Sequence, residues 1–166
     1  MPKFVVEPLS RTHMLNVYPL VHLAVPTLDM CAWRRFVRLA LDGRRSSRAG
    51  ILVAKRAARR HICGLVCYRR ETDLILGQVM QARNLIAIDM LDTQSIVLAL
   101  VSSLRSLARA NSCSSVHLMM PETEFAASGL PDMIAGLDRR SAFNHWVDVT
   151  FSANESLLKP SHEFAH

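Results

Sequence analysis

The stretch Gln78–Pro121, QVMQARNLIAIDMLDTQSIVLALVSSLRSLARANSCSSVHLMMP, decides the fold. It reads as strand, helix, strand. The first strand runs from Val79 to Met90 and turns densely apolar from Leu85; the second runs from Ser115 to Met120. Between them Ile96, Val97, Leu100, Val101, Leu104, Leu107 and Ala108 recur at intervals of three and four. That spacing lines one face of a helix from Thr93 to Ala110. Asp92 or Thr93 can cap its first amides. Arg105 and Arg109 suit the negative end of its dipole, and Asn111 tolerates the left-handed conformation that closes many helices. Two apolar runs tightly joined through a helix predict parallel strands linked by a right-handed crossover. Both strands look apolar on both faces, as strands covered by helices on each side do.

Upstream, Phe4 to Val6 reads as a short strand. Ser10 caps a helix towards Ala24 with Leu15, Tyr18 and Val21 inward, and Pro19 kinks or divides it. Thr27 caps a second helix, Leu28 to Leu41, ended by Gly43, with Trp33, Phe36, Val37 and Ala40 on its apolar face. A loop at RRSSRAG precedes strand Ile51–Lys55, a turn at Ala57–Arg60 and strand His61–Arg69, so an antiparallel meander feeds the crossover. Downstream, an interrupted helix spans Glu124 to Leu137, and a strand covers Asn144 to Ser152. The expected architecture is one α/β domain over residues 1–152 with a loose polar tail over 153–166.

Composition narrows the function. The chain has 166 residues, half of them hydrophobic, which suits a globular core. No apolar run reaches the roughly 20 residues that span a bilayer, so no membrane partner is expected. The start, MPKFVVEPLS, lacks the basic head and long apolar middle of a signal peptide, which points to the cytoplasm. Cys31, Cys63, Cys67 and Cys113 form no CxxC pair; Cys63 and Cys67 share a strand face with too few other ligands for a metal, so buried free thiols are expected. Twelve of the twenty basic residues lie between Arg34 and Arg70 against one acid, Asp42, which leaves +11 in that span against +6 overall. The block suits a solvated surface, a phosphate-bearing ligand or nonspecific nucleic-acid binding. Only Trp33, Phe36 and Tyr68 interleave it, and no nucleic-acid motif accompanies it.

The order of elements resembles the GNAT (GCN5-related) N-acetyltransferase superfamily. The resemblance spans nearly the whole chain and is carried by EPLSRTHMLNVYPLVHLA, ILVAKRAARRHICGLVCYRR and NLIAIDMLDTQSIVLALVSSLRSLARANSCSSVHLMMP. It implies a mixed sheet, an antiparallel meander followed by a parallel strand–helix–strand core, with helices on both faces. It also implies acyl transfer from acetyl-CoA or another acyl-CoA to an amine of a small molecule or protein, without a metal. The pantetheine arm would lie along Ala87–Met90, and the pyrophosphate on the turn Leu91–Ile96, as helix N-termini favour anions. The cofactor contacts implied are therefore Ile88, Met90, Leu91, Thr93, Gln94 and Ser95, with an oxyanion held by backbone amides near Met90.

The turn departs from the family's Arg/Gln-x-x-Gly-x-Gly/Ala: it reads Asp89-Met90-Leu91-Asp92-Thr93-Gln94-Ser95-Ile96, with two carboxylates and neither glycine nor arginine. The tyrosine acid that many members carry after the fifth strand has no counterpart, because the only tyrosines are Tyr18 and Tyr68. Asp89 and His117 are the candidate bases; a strand-end cap and a buried histidine are their alternatives. Met90, Met119 and Met120 suit an acyl pocket or a core. Glu122 and Glu124 suit the next helix's N-terminus, or contact with an acceptor amine. A catalytically inactive GNAT-fold regulator and a basic polyanion-binding protein remain alternative functions, and pairing of edge strands such as Asn144–Ser152 would allow a homodimer.

Overall fold

A strand that closes a hairpin and also opens a crossover has to lie in the middle of its sheet. The computed structural model describes residues 3–42, 48–58, 61–141 and 145–155. They run β1 (Phe4–Pro8), a 3-10 turn (Arg11–His13), α1 (Met14–Ala24), α2 (Met30–Ala40), β2 (Ala49–Arg56), β3 (Ile62–Asp73), β4 (Gly77–Ala87), α3 (Thr93–Ala110), β5 (Ser115–Pro121), α4 (Glu122–Ala127), α5 (Leu130–Met133), β6 (Asp138–Ser141) and β7 (Trp146–Ser152). The sheet order is β1-β2-β3-β4-β5-β7-β6. β4 and β5 pair in parallel and all other neighbours are antiparallel. This is the expected mixed sheet, with the meander leading into the crossover.

The two faces bury separate clusters. α3 presents Ile96, Leu100 and Leu104 to Leu52, Met80, Ala82, Val116 and Leu118. α1 and α2 present Val17, Leu20, Trp33 and Val37 to Ile51, Val53 and Leu65. Each fully buried aliphatic side chain contributes about 1.5–3 kcal/mol. The Trp33 indole donates to the Met14 carbonyl at 2.8 Å, which satisfies its buried N–H and ties α2 to the start of α1.

Several local expectations change. Asp29, not Thr27, caps α2, accepting the Ala32 amide at 2.7 Å. Ser10 makes no amide cap: its hydroxyl meets Thr12 and His13 in the 3-10 turn, and α1 runs unbroken through Pro19. Val17, Leu20 and Val21 form the buried face of α1, and Leu15 is exposed. Gly43, and Ser46 and Ser47 of the loop before β2, fall outside the described residues, as do Arg44, Arg45, Arg59 and Arg60 of the basic block. Ser112 (φ 57°), not Asn111, adopts the left-handed conformation after α3. The helix after β5 splits at Gly129 (φ 74°) and ends at Met133, short of Leu137, and β6 follows where no strand was expected. β7 lies between β5 and β6, so Trp146–Ser152 is no edge strand, and the dimer route through it falls away. Ala153 is buried and its carbonyl accepts from Arg105 at 3.3 Å and Arg109 at 3.2 Å, so the chain stays pinned to α3 past β7. Cys63 packs with the α3 cluster and Cys67 with the α1/α2 cluster, because a register shift beside Ala54 and Lys55 separates their faces; Cys31 is exposed.

β4 also ends earlier than the sequence suggests, at Ala87, and its parallel ladder with β5 is shorter still. Pairing runs from Val79 opposite Ser115 to Ala82 opposite Leu118 and then stops. At the same point β4 bulges. Arg83 faces Cys67 and Ile86 faces Leu65, so Asn84 and Leu85 together oppose Val66, and Asn84 takes φ 54°. A bulge sharpens the local twist and re-aims the strand, here away from β5. Asn tolerates that backbone better than a branched residue.

Gly64 permits the close packing of α3 behind the bulge. A Cβ there would meet Ile96 Cγ2 at 2.6 Å, the Ile86 carbonyl at 3.1 Å and Leu100 Cδ1 at 3.1 Å. Gly64→Ala is expected to destabilise the fold by about 1–3 kcal/mol through overpacking. A thermal melt of the variant checks this, and an unchanged midpoint would show that α3 can shift at no cost.

Candidate active site

Where β4 and β5 part, a cleft of about 410 Å³ opens on the α1/α2 face, within the roughly 300–1,000 Å³ typical of small-molecule sites. α1, α2 and the connection between them supply Val21, Leu28, Trp33 and Phe36. The bulge supplies Asn84, Leu85 and Ile86, and β5 supplies Met119, Met120 and Pro121. Glu124 of α4 and Trp146 of β7 complete the wall. The walls are mostly apolar. Beyond Ala82, β5 no longer provides ladder partners, so the β4 backbone offers its own N–H and C=O groups to whatever enters.

Two titratable groups line the cleft. Glu124 is exposed overall, and partial desolvation against the cleft wall raises its carboxyl above the ordinary value of 4.5; no ion-pair partner is found for it among the described residues. Burial pushes the Cys67 thiol up to about 12, against a weaker opposing hydrogen bond with Asn84. Cys67 therefore stays protonated and is a poor nucleophile.

The residues singled out in the sequence divide sharply. Met119 and Met120 line the cleft; Met90 lies fully exposed outside it. Neither Asp89 nor His117 lines it. His117 lies on β5, with Nε2 3.1 Å from the Ser115 hydroxyl and Nδ1 3.4 Å from that of Thr150 and 3.7 Å from Asp148 Oδ2. Asp89 pairs with Arg56 and accepts the Leu91 amide at 2.9 Å. That amide first, then the guanidinium, holds the Asp89 carboxyl below its usual range. Glu122 pairs with Arg139 and not with the cleft.

The expected cofactor residues gather at the β4–α3 turn. Ile88 still donates to the Cys63 carbonyl at 2.9 Å, beyond the end of β4. Met90 and Leu91 project into solvent. Thr93 Oγ1 donates to the Asp89 carbonyl at 3.0 Å. Gln94 is turned towards Gly129, where a Cβ would meet its Cδ at 2.9 Å. The Ser95 amide donates to Asp92 Oδ1 at 3.3 Å, so Asp92 caps α3. Lys3 pairs with the same carboxylate. Its ammonium first, then Ser95, lowers the Asp92 carboxyl to about 2.

The free edge of β4 thus lies at residues 83–87, nearer the bulge than the Ala87–Met90 segment expected from sequence. The continuous apolar run from Leu85 marks a strand but not its bulge. Glu124, placed at a helix start by its sequence, is a cleft residue because α4 begins directly at the end of β5.

A depressed carboxyl stabilises the fold above its unfolded value and loses that contribution as pH falls through the folded one. For Asp92 the contribution is complete above 3.8 and drains towards pH 2. The stability gap between the wild type and Asp92→Asn should be constant above about pH 5 and close as the pH approaches about 2. Urea denaturation across that range measures it. A gap that ignores pH would assign the cap to geometry and not charge.

No protein-family model matches the sequence, and no curated protein matches it. Solved structures do match the fold. Apo FdhC, a nucleotide-linked sugar GNAT, aligns over 91% of this chain and 87% of its own, with a TM-score of 0.70 and 10% identity. An acetyltransferase of the GNAT family from Staphylococcus aureus aligns over 90% and 99%, at 0.66 and 8%. The aminoglycoside N-acetyltransferase AAC(6')-Iy, solved with CoA, aligns over 78% and 84%, at 0.64 and 10%. With the splayed β4–β5 pair and the meander before it, these alignments give the chain the GNAT acetyltransferase fold.

Proposed function

We propose that the chain is a divergent GNAT-type N-acyltransferase that moves an acyl group from a CoA-type thioester to an amine. The observation that carries this reading is the cleft: an apolar slot beside a free strand edge, with one raised carboxyl in its wall. The thioester arm lies along residues 83–87 of β4. Backbone amides beside the Asn84 bulge face the acyl oxygen and stabilise the negative charge that forms there. The amine enters from the α1/α2 side, where its apolar body packs on Trp33 and Phe36.

In the transfer itself the amine nitrogen attacks the thioester carbonyl and a C–N bond forms. Glu124 accepts the proton that leaves nitrogen. The C–S bond then breaks and the thiolate departs, taking a proton from water. Positioning of the two reactants supplies most of the acceleration. A protonated Cys67 argues for direct transfer over an acyl-cysteine intermediate.

A binding or regulatory module built on the same cleft is the second reading. It is favoured by the carboxylates at the β4–α3 turn and by the position of Tyr18 and Tyr68, neither of which lines the cleft.

Thiol release from acetyl-CoA, followed against a panel of amines, tests the proposal. Turnover is expected with at least one amine of apolar body. Glu124→Gln should lower kcat by about 10²–10⁴-fold with donor affinity retained. The wild-type rate should fall as pH drops through the raised Glu124 value. Saturable donor binding without turnover would select the second reading, and no binding of either acetyl-CoA or acetyl-pantetheine at millimolar concentration would remove both.

A further inference from the structure

An acyl arm that follows the free edge of β4 from the bulge leaves the cleft at residues 88–92, against the first turn of α3. Helix N-termini attract anions through unpaired amides and a positive dipole end. Here two carboxylates already sit at that end and take amides of the turn and of the first helical residues. Asp92 Oδ1 takes the Ser95 amide at 3.3 Å and Asp89 Oδ1 takes the Leu91 amide at 2.9 Å. Among the described residues, two cations at this turn are also engaged: Lys3 pairs with Asp92, and Arg56 with Asp89. Beside them the turn offers Met90 and Leu91, both exposed and apolar, where a phosphate would need donors.

We infer that the cleft reads the pantetheine thioester alone, so that the preferred donor is an acyl-pantetheine arm carrying no nucleotide diphosphate. The inference rests on the acyltransferase reading above. A diphosphate at this turn would have to displace two carboxylates from amides and open two ion pairs, and it would bring negative charge against Asp89 and Asp92. An arm that ends before the turn, or that is attached there to a carrier, avoids these costs. The acyl-transfer step is unchanged: the C–S bond breaks, the C–N bond forms, and the amine proton passes to Glu124.

Calorimetry of the full chain with acetyl-pantetheine and with acetyl-CoA tests the inference. Acetyl-pantetheine is expected to bind at least as tightly as acetyl-CoA. Acetyl-CoA binding tenfold or more tightly would overturn the inference and leave the acyltransferase reading standing; binding of neither would overturn both. Asp92→Ser keeps a capping oxygen and removes a charge. It should strengthen acetyl-CoA binding at least tenfold and change acetyl-pantetheine binding less than twofold. Equal changes for both ligands would overturn the inference. A third arm uses a carrier protein acetylated on its phosphopantetheine. Tighter binding than acetyl-pantetheine would identify a carrier-borne donor, and equal binding would identify the free thioester, both within the proposed class.

Discussion

The parting of β4 from β5 after Ala82 and Leu118 sets the rest of the structure. Four residue pairs hold the two strands in parallel, which is enough to anchor α3 across them and too few to close the sheet beyond. The bulge at Asn84 and Leu85 turns β4 out of register with β3 and away from β5 together. Once the strands diverge, backbone groups in mid-sheet lose their ladder. α1 and α2 then roof an opening that would otherwise be packed core. The cleft is a product of strand geometry, and its side chains only line it.

The core crossover was legible because its pattern is periodic. Ile96, Leu100 and Leu104 repeat at helical spacing, and all three are buried under α3. The meander was legible for the same reason. What periodicity misses is a change of parity. One extra residue in β4 moves Leu85 to the α3 face and Ile86 to the α1/α2 face, and a similar shift in β3 separates Cys63 from Cys67. Neither leaves a mark in composition. Glu124 was obscured for a different reason. A carboxylate three residues past a strand is a good helix starter in any sequence, and the cleft beside it is what adds weight to the other reading, contact with an acceptor amine.

Charge was legible in amount but not in arrangement. Within Arg34–Arg70 the sequence shows one acid, yet the fold brings others from elsewhere in the chain: Glu7 to Lys55, Asp89 to Arg56 and Glu71 to Arg69. The strand part of the block is largely matched, while Arg34, Arg35 and Arg38 stand exposed on α2. The two carboxylates of the β4–α3 turn belong to the same bookkeeping. They oppose an external anion at the helix end, and they recruit Lys3, just before β1, and Arg56 of β2, which fasten the outer strands to the crossover.

The four cysteines follow the same divided layering. Three are shielded to differing degrees by the packed sheet, and Cys31, on the first turn of α2, is exposed. A maleimide fluorophore would therefore attach there first, with no need to engineer out the others. Because Trp33 and Phe36 of that helix wall the cleft, such a dye would give an optical signal of occupancy from the unmodified sequence.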